Sequence, residues 1–247
     1  MKGLEPKPSI HLVLGGIVHS AIQDFHKTNI NEVPPETFFE NLHSKTIDSL
    51  NRKWEESSGE FEKLKLTPQE LQSFHDEARQ MIDNFLQHHA ERLIAYQYNH
   101  KVSAQEAFEK LRPRTETRIT SERLGVMGVI DAIHDLDGQT TLIDYKTSKK
   151  NEINQEYLLQ LAIYTLLYKE LSGRIPDKVG IHFLRHGEKT IPSNQELLSL
   201  GEKKCQEIRK LTKGEDEKDY PQKKSGLCKY KTGQCDYYEI CVGMRSD

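Results

Sequence analysis

From Arg114 onward the chain changes its period. Residues 115–120 alternate, 126–134 and 140–147 are branched apolar runs, and Asp135-Leu136-Asp137-Gly138 separates the last two. A period of two places successive side chains on opposite faces of a strand, and Asp-Gly between two such runs is a strong hairpin signal. Residues 152–171 are rich in Leu, Ile and Ala and predict a helix, after which 178–184 alternates again through Val179, Ile181 and Phe183. Strand, strand, strand, helix, strand specifies an α/β core.

The rest of the chain reads as helix around that core. Leu14, Val18, Ile22 and Phe25 recur at helical spacing over 14–27, with Gly15-Gly16 near the start. Residues 34–111 predict a series of helices broken at Gly59 and at Thr67-Pro68. Thr67-Pro68-Gln69-Glu70 supplies an N-cap, a proline at the first helical position and an acid in the first turn. This block holds Trp54 but no constellation with chemistry, and reads as a helical cap or insertion. After about Ser199 come one amphipathic helix, a charged linker ending at Pro221 and a cysteine-rich end. Four parts are expected: an N-terminal helix of the core (1–30), a helical insertion (31–113), the α/β core (114–198), and a C-terminal helix with the cysteine-rich tail (199–247).

Asp144-Tyr145-Lys146 lies on one of the strands, so Asp144 and Lys146 project from one face and Tyr145 from the other. Asp131 ends the preceding strand, where hairpin pairing brings its carboxylate beside that of Asp144. Adjacent carboxylates repel unless a cation lies between them, and hard oxygen ligands suit Mg²⁺ or Mn²⁺. An Asp-X-Lys triplet alone is usually a chance pattern on an exposed hairpin; here its weight comes from its surroundings.

Those surroundings are Gly15-Gly-Ile-Val-His19, Gly128-Val-Ile-Asp131, Ile143-Asp144-Tyr-Lys146-Thr147-Ser148 and Gln160-Leu-Ala-Ile-Tyr164. In order and spacing they resemble the RecB-like branch of the PD-(D/E)XK nuclease superfamily, which includes CRISPR-associated exonucleases. The resemblance implies an α/β, restriction-endonuclease-like core with a mixed central sheet. It implies that His19, Asp131, Asp144 and the backbone carbonyl of Tyr145 hold Mg²⁺ or Mn²⁺, with the imidazole favouring Mn²⁺. It makes Asp131, Asp144, Lys146, Gln160 and Tyr164 the catalytic set, with Lys146 positioning the attacking water. Gln160 and Tyr164, four apart on one helix face, would contact the site or the DNA. Glu116 stands where relatives often carry a supporting acid, and Tyr157 and Tyr164 either stack on splayed bases or belong to the core.

The implied activity is exonuclease action on DNA ends or single strands, in repair, recombination or CRISPR-type processing, with a helicase or CRISPR-adaptation partner. The alternatives are a non-catalytic nucleic-acid-binding subunit of the same fold and a hydrolase of another phosphate ester. Net charge is −3, so phosphate attraction is expected from local lysines: Lys149, Lys150, Lys203, Lys204, Lys223, Lys224, Lys229 and Lys231. The chain shows no 20-residue apolar run and no basic-then-apolar leader, which predicts a cytoplasmic protein without membrane contact.

The four cysteines stand at 205, 228, 235 and 241, a crowding unlike a disulfide framework and suited to metal or cluster ligation. Cys228, Cys235 and Cys241 resemble the last three ligands of the 4Fe–4S cluster in some relatives. The six-residue gap between Cys228 and Cys235 departs from the usual two, and thiolates suit Zn²⁺ equally. Relatives take the fourth ligand from upstream of the histidine helix, where this chain has no cysteine; Cys205 is the substitute, or else a helical thiol. Met1-Lys-Gly-Leu-Glu-Pro enters the family pattern abruptly, as though an upstream segment preceded it.

Overall fold

The computed structural model describes residues 9–241 except 215, 217–218, 227, 231–232 and 236. The opening segment and Lys231 therefore lie outside the described residues. The sheet has five strands, β1 (Arg114–Ser121), β2 (Val126–Leu136), β3 (Gln139–Lys146), β4 (Lys178–Phe183) and β5 (Gly187–Pro192), in the order β1-β2-β3-β4-β5. Only β3 and β4 pair in parallel, so the sheet is mixed as expected. Asp137 (φ 50°) and Gly138 (φ 79°) both take left-handed backbone at the β2–β3 hairpin. That conformation matches the right-handed twist of the flanking strands.

The N-terminal helix α1 is Ile10–His26, and α2 (Phe38–Glu56), α3 (Ser58–Leu64), α4 (Pro68–His100) and α5 (Ala104–Leu111) follow before the sheet. Capping boxes start α4 at Thr67 with Glu70 and α5 at Ser103 with Glu106. The break predicted at Gly59 falls at Ser57, whose hydroxyl donates to the Lys53 carbonyl at 2.9 Å. Helix α6 (Gln155–Ser172) crosses between the parallel strands and starts later than predicted, because the Asn154 side chain caps it by accepting the Tyr157 N–H at 2.9 Å. Helix α7 is Gln195–Leu211; the tail adds β6 (Lys229–Tyr230), β7 (Gly233–Gln234) and the short α8 (Tyr238–Cys241). Strand β5 escaped the sequence reading because it is short, polar and ends in proline, the usual composition of a protected sheet edge.

Helices cover both faces of the sheet. On one, Ile130, Ile133, Leu142, Val179, Ile181 and Phe183 pack with Leu161 and Leu167 of α6. On the other, Ala132, Ile143 and Tyr145 share one buried cluster with α1, α2, α4 and α5. Long α4 is pinned to the ends of β3 and β4. Asn84 donates to the Leu184 carbonyl at 2.9 Å, and Arg185 joins Glu77 (2.8 Å) to the carbonyl of Thr147 (3.1 Å).

This second cluster also buries His26, His89 and His134. Burial pushes all three imidazoles down, His134 to about 3. Nδ1 of His26 and Nε2 of His89 have no hydrogen-bond partner, while His26 Nε2 meets the Tyr145 hydroxyl at 3.2 Å. The unfolded chain takes up these protons near pH 6.5, and the folded chain resists them until lower pH. Stability is therefore complete above about pH 6.5 and falls as the pH drops below it. Between pH 7.5 and 5.5 the wild type should lose about 1 kcal/mol more stability than His89→Leu, measured by urea unfolding. Parallel pH profiles for the two proteins would contradict the assignment.

Candidate active site

The site forms where the sheet departs from regular pairing. The register that pairs Ala132 with Ile143 sets Asp131 opposite Asp144, but the β2–β3 ladder ends at Ala132. Beyond it the backbone N–H of Tyr145 donates to Asp131 Oδ2 at 2.8 Å. On the other side, the pairs Thr115–Ala132 and Thr117–Ile130 set Glu116 opposite Asp131. Glu116 has φ 48°, a left-handed conformation in mid-strand that costs a non-glycine residue on the order of 1–3 kcal/mol. The interruption points the Glu116 carboxylate toward the Asp131 edge. One ligand atom each from Glu116, Asp131 and His19 lie within 4.8 Å of one another.

Helix α1 delivers His19 from its exposed side, since Leu14, Val18, Ala21, Ile22 and Phe25 anchor the opposite side in the core. Its Nδ1 stands 3.6 Å from Asp131 Oδ2. Gly15 lies against the end of β3, where a β-carbon would meet the Thr147 hydroxyl at an ordinary contact distance of 3.6 Å. Together these elements line an open cleft of about 550 Å³ that includes His19, Gln23, Glu116, Asp131, Lys146 and Ser148. A cavity of about 600 Å³ with mainly apolar walls lies elsewhere, between α2 and α4.

Asp144 is buried, and its two oxygens are treated differently. Oδ1 accepts from Gln160 Nε2 at 2.7 Å and from the Tyr164 hydroxyl at 3.1 Å, and Gln160 also donates to that hydroxyl at 3.0 Å. Oδ2 lies 2.8 Å from Lys146 Nζ but outside hydrogen-bond alignment, and has no other partner. The predicted i, i+4 pair on α6 thus holds one oxygen of Asp144 and leaves the other beside Lys146. Gly128 permits this contact, because a β-carbon there would come within 2.7 Å of the Leu167 side chain and 3.8 Å of the Tyr164 ring.

The electrostatics follow from burial and like charge. Burial first, then the facing Asp144 carboxylate, pushes Asp131 up to about 6, against the pull of His19. Burial and Asp144 likewise raise Tyr164 far above the usual phenol range, so its proton stays on the hydroxyl and serves the hydrogen bond. The donor set of hard carboxylates and one imidazole, with an orphaned buried oxygen on Asp144, fits a divalent cation of the Mg²⁺ or Mn²⁺ class.

Two expectations change. Tyr164 is buried and turned to Asp144, so it offers no face to a base. Tyr157 has its hydroxyl 3.0 Å from Ser148 Oγ and its ring 5.6 Å beneath Lys146 Nζ, where it supports the ammonium. Among the lysines, Lys150 pairs with Glu156 (3.8 Å) and Lys204 with Glu207 (2.8 Å). Cys205 lies apart from the tail, in an apolar cluster with Leu124, Leu166 and Leu198, and burial pushes its thiol up. Cys235 N–H donates to the Cys228 carbonyl at 3.0 Å, yet among the described residues no group of three metal-ligand atoms includes a cysteine.

Comparison with known proteins adds the following. A family model described as the PD-(D/E)XK nuclease superfamily matches residues 2–242. Comparison with curated protein sequences found no match. Among solved structures, a crystal structure of a candidate exonuclease from Eubacterium rectale aligns with a TM-score of 0.43 and 14% identity, over 83% of this chain and 68% of that one.

The raised Asp131 generates a test. Its folded pKa exceeds the unfolded value, so the ionised group costs stability that is lost as pH rises from about 4 to about 6. In chelator, Asp131→Asn should be more stable than the wild type by on the order of 1–3 kcal/mol at pH 8, and lose that advantage near pH 4. Urea unfolding at both pH values measures it. No gain at pH 8 would contradict the carboxylate repulsion.

Proposed function

The chain belongs to the PD-(D/E)XK nuclease superfamily, and we propose that within it the protein is a metal-dependent DNA nuclease, acting as an exonuclease on ends or single strands. The observation that carries this reading is the buried Asp144 Oδ2, left without a hydrogen bond beside Lys146 and facing Asp131. Binding nucleic acid needs cations on a surface; it does not need a buried carboxylate paired with a lysine and set opposite a second acid.

The proposed cation ligands are Asp131, Asp144, His19 and the backbone carbonyl of Tyr145, with Glu116 approaching from β1. When bound, Mg²⁺ or Mn²⁺ supplies a Lewis acid that polarises the phosphate and lowers the pKa of water. The side chains do the positioning. Gln160 and Tyr164 lock Asp144 through Oδ1 and leave Oδ2 to Lys146 and the proposed cation. Lys146 Nζ, held by Asp144 and the Tyr157 ring, stands ready to orient the attacking water and to offset negative charge as the pentavalent phosphate develops. The cleft is open on the side of α1 and Glu116, which suits a strand end entering past Gly15-Gly16. Among the described residues no helix is long and apolar enough to cross a membrane. The tail thiols Cys228, Cys235 and Cys241 have no part in this chemistry.

Release of nucleotides from labelled single-stranded and duplex DNA, with Mn²⁺, Mg²⁺ or EDTA, tests the proposal. Cleavage should require a divalent ion, vanish in Asp144→Ala, and fall about 10²–10³-fold in Lys146→Ala with DNA binding retained. Cleavage that persists in Asp144→Ala would overturn the site. Tight DNA binding without cleavage by the metal-loaded wild type would instead favour a non-catalytic subunit.

A further inference from the structure

We propose that the protein has a second metal site, built by His88, His182 and Glu188, which takes a transition-metal ion of the zinc class. It lies on the face of the sheet covered by α4, opposite the face where Asp144 meets α6. One ligand atom from each of the three residues lies within 4.8 Å of the other two.

Three elements converge to make it. His182 on β4 and Glu188 on β5 are direct partners across the antiparallel pair, so their side chains rise side by side from one face. His88 descends from α4, with its ring centroid 4.7 Å from that of His182 and the planes at 73°. The two rings meet edge to face instead of stacking. His182 is buried, while His88 and Glu188 are half-buried, which leaves the site a rim open to solvent.

None of the three donors is otherwise engaged. Among the described residues, no hydrogen bond reaches His88, His182 or the Glu188 carboxylate, and Glu188 makes no ion pair within 4.0 Å. Arg92, one turn after His88 on α4, lines the adjoining cavity of about 340 Å³ with His134 and Glu188, yet stays beyond ion-pair distance of that carboxylate. Two imidazoles, one carboxylate and an open fourth position form a zinc-type donor set. In a tetrahedral site with bonds of about 2.0–2.1 Å, ligand atoms stand about 3.3 Å apart. A bound ion would clamp α4 to the β4–β5 edge and stabilise the folded chain by mass action.

Visible absorption during Co²⁺ titration tests this in the full chain carrying Asp131→Asn and Asp144→Asn, which removes the nuclease carboxylates. The expected result is one equivalent of Co²⁺ with a d–d band and no thiolate charge-transfer band. Adding His88→Gln or Glu188→Gln, both on the rim so that the buried His182 keeps the fold intact, should weaken that equivalent by about 10-fold or more. Zn²⁺ should raise the melting temperature of the parent and not of these variants. A thiolate-free band that is absent, or that survives both substitutions, would overturn the proposal. Because the nuclease carboxylates are already removed, either result is independent of DNA cleavage.

Discussion

Two opposed carboxylates, one buried and one at the edge of the cleft, govern this structure. Asp131 and Asp144 stand opposite each other at the point where the β2–β3 ladder ends, and the repulsion between them raises the proton affinity of Asp131. A fold tolerates such a pair only where the surrounding groups over-determine it. Here the Tyr145 N–H fixes Asp131, Gln160 and Tyr164 fix one oxygen of Asp144, and Lys146 stands against the other. The strained Glu116 adds a third acid to the same edge instead of relieving it. Residual stability is thus traded for a site prepared to receive positive charge.

The rest of the fold can be read as support for that arrangement. Glycine at 128 allows α6 close enough for Tyr164 to reach Asp144, and α1 carries His19 to 3.6 Å from Asp131. Behind the motif strand, Tyr145 sends its ring away from the cleft into a cluster of aromatic and histidine rings contributed by α1, α4 and β4. Arg185 and Asn84 tie α4 to the ends of β3 and β4. The helices from residue 38 to 111 are therefore part of what holds the motif strand, since they share its hydrophobic cluster.

Much of this was legible from local pattern. The Asp137-Gly138 turn, the branched apolar runs of β2 and β3 and the i, i+4 spacing of Gln160 and Tyr164 are short-range signals, and each appears as expected. Long-range features were not legible. No spacing rule reveals that Glu116 adopts left-handed backbone, because only the pairing of β1 with β2 imposes it. The roles of Tyr157 and Tyr164 depend on which way α6 turns its faces, and strand β5 carries too little apolar pattern to be recognised. Histidines 88 and 182 are 94 residues apart in sequence, and only the docking of α4 on β4 brings them together.

The most direct test of the account is the position of a bound cation. Crystals soaked in Mn²⁺ and measured for anomalous scattering should show an ion touching His19, Asp131 and Asp144 together with the Tyr145 carbonyl, with Gln160 and Tyr164 still on Asp144 Oδ1. A cleft free of Mn²⁺ at saturating concentration, with the two carboxylates bridged only by Lys146, would contradict it.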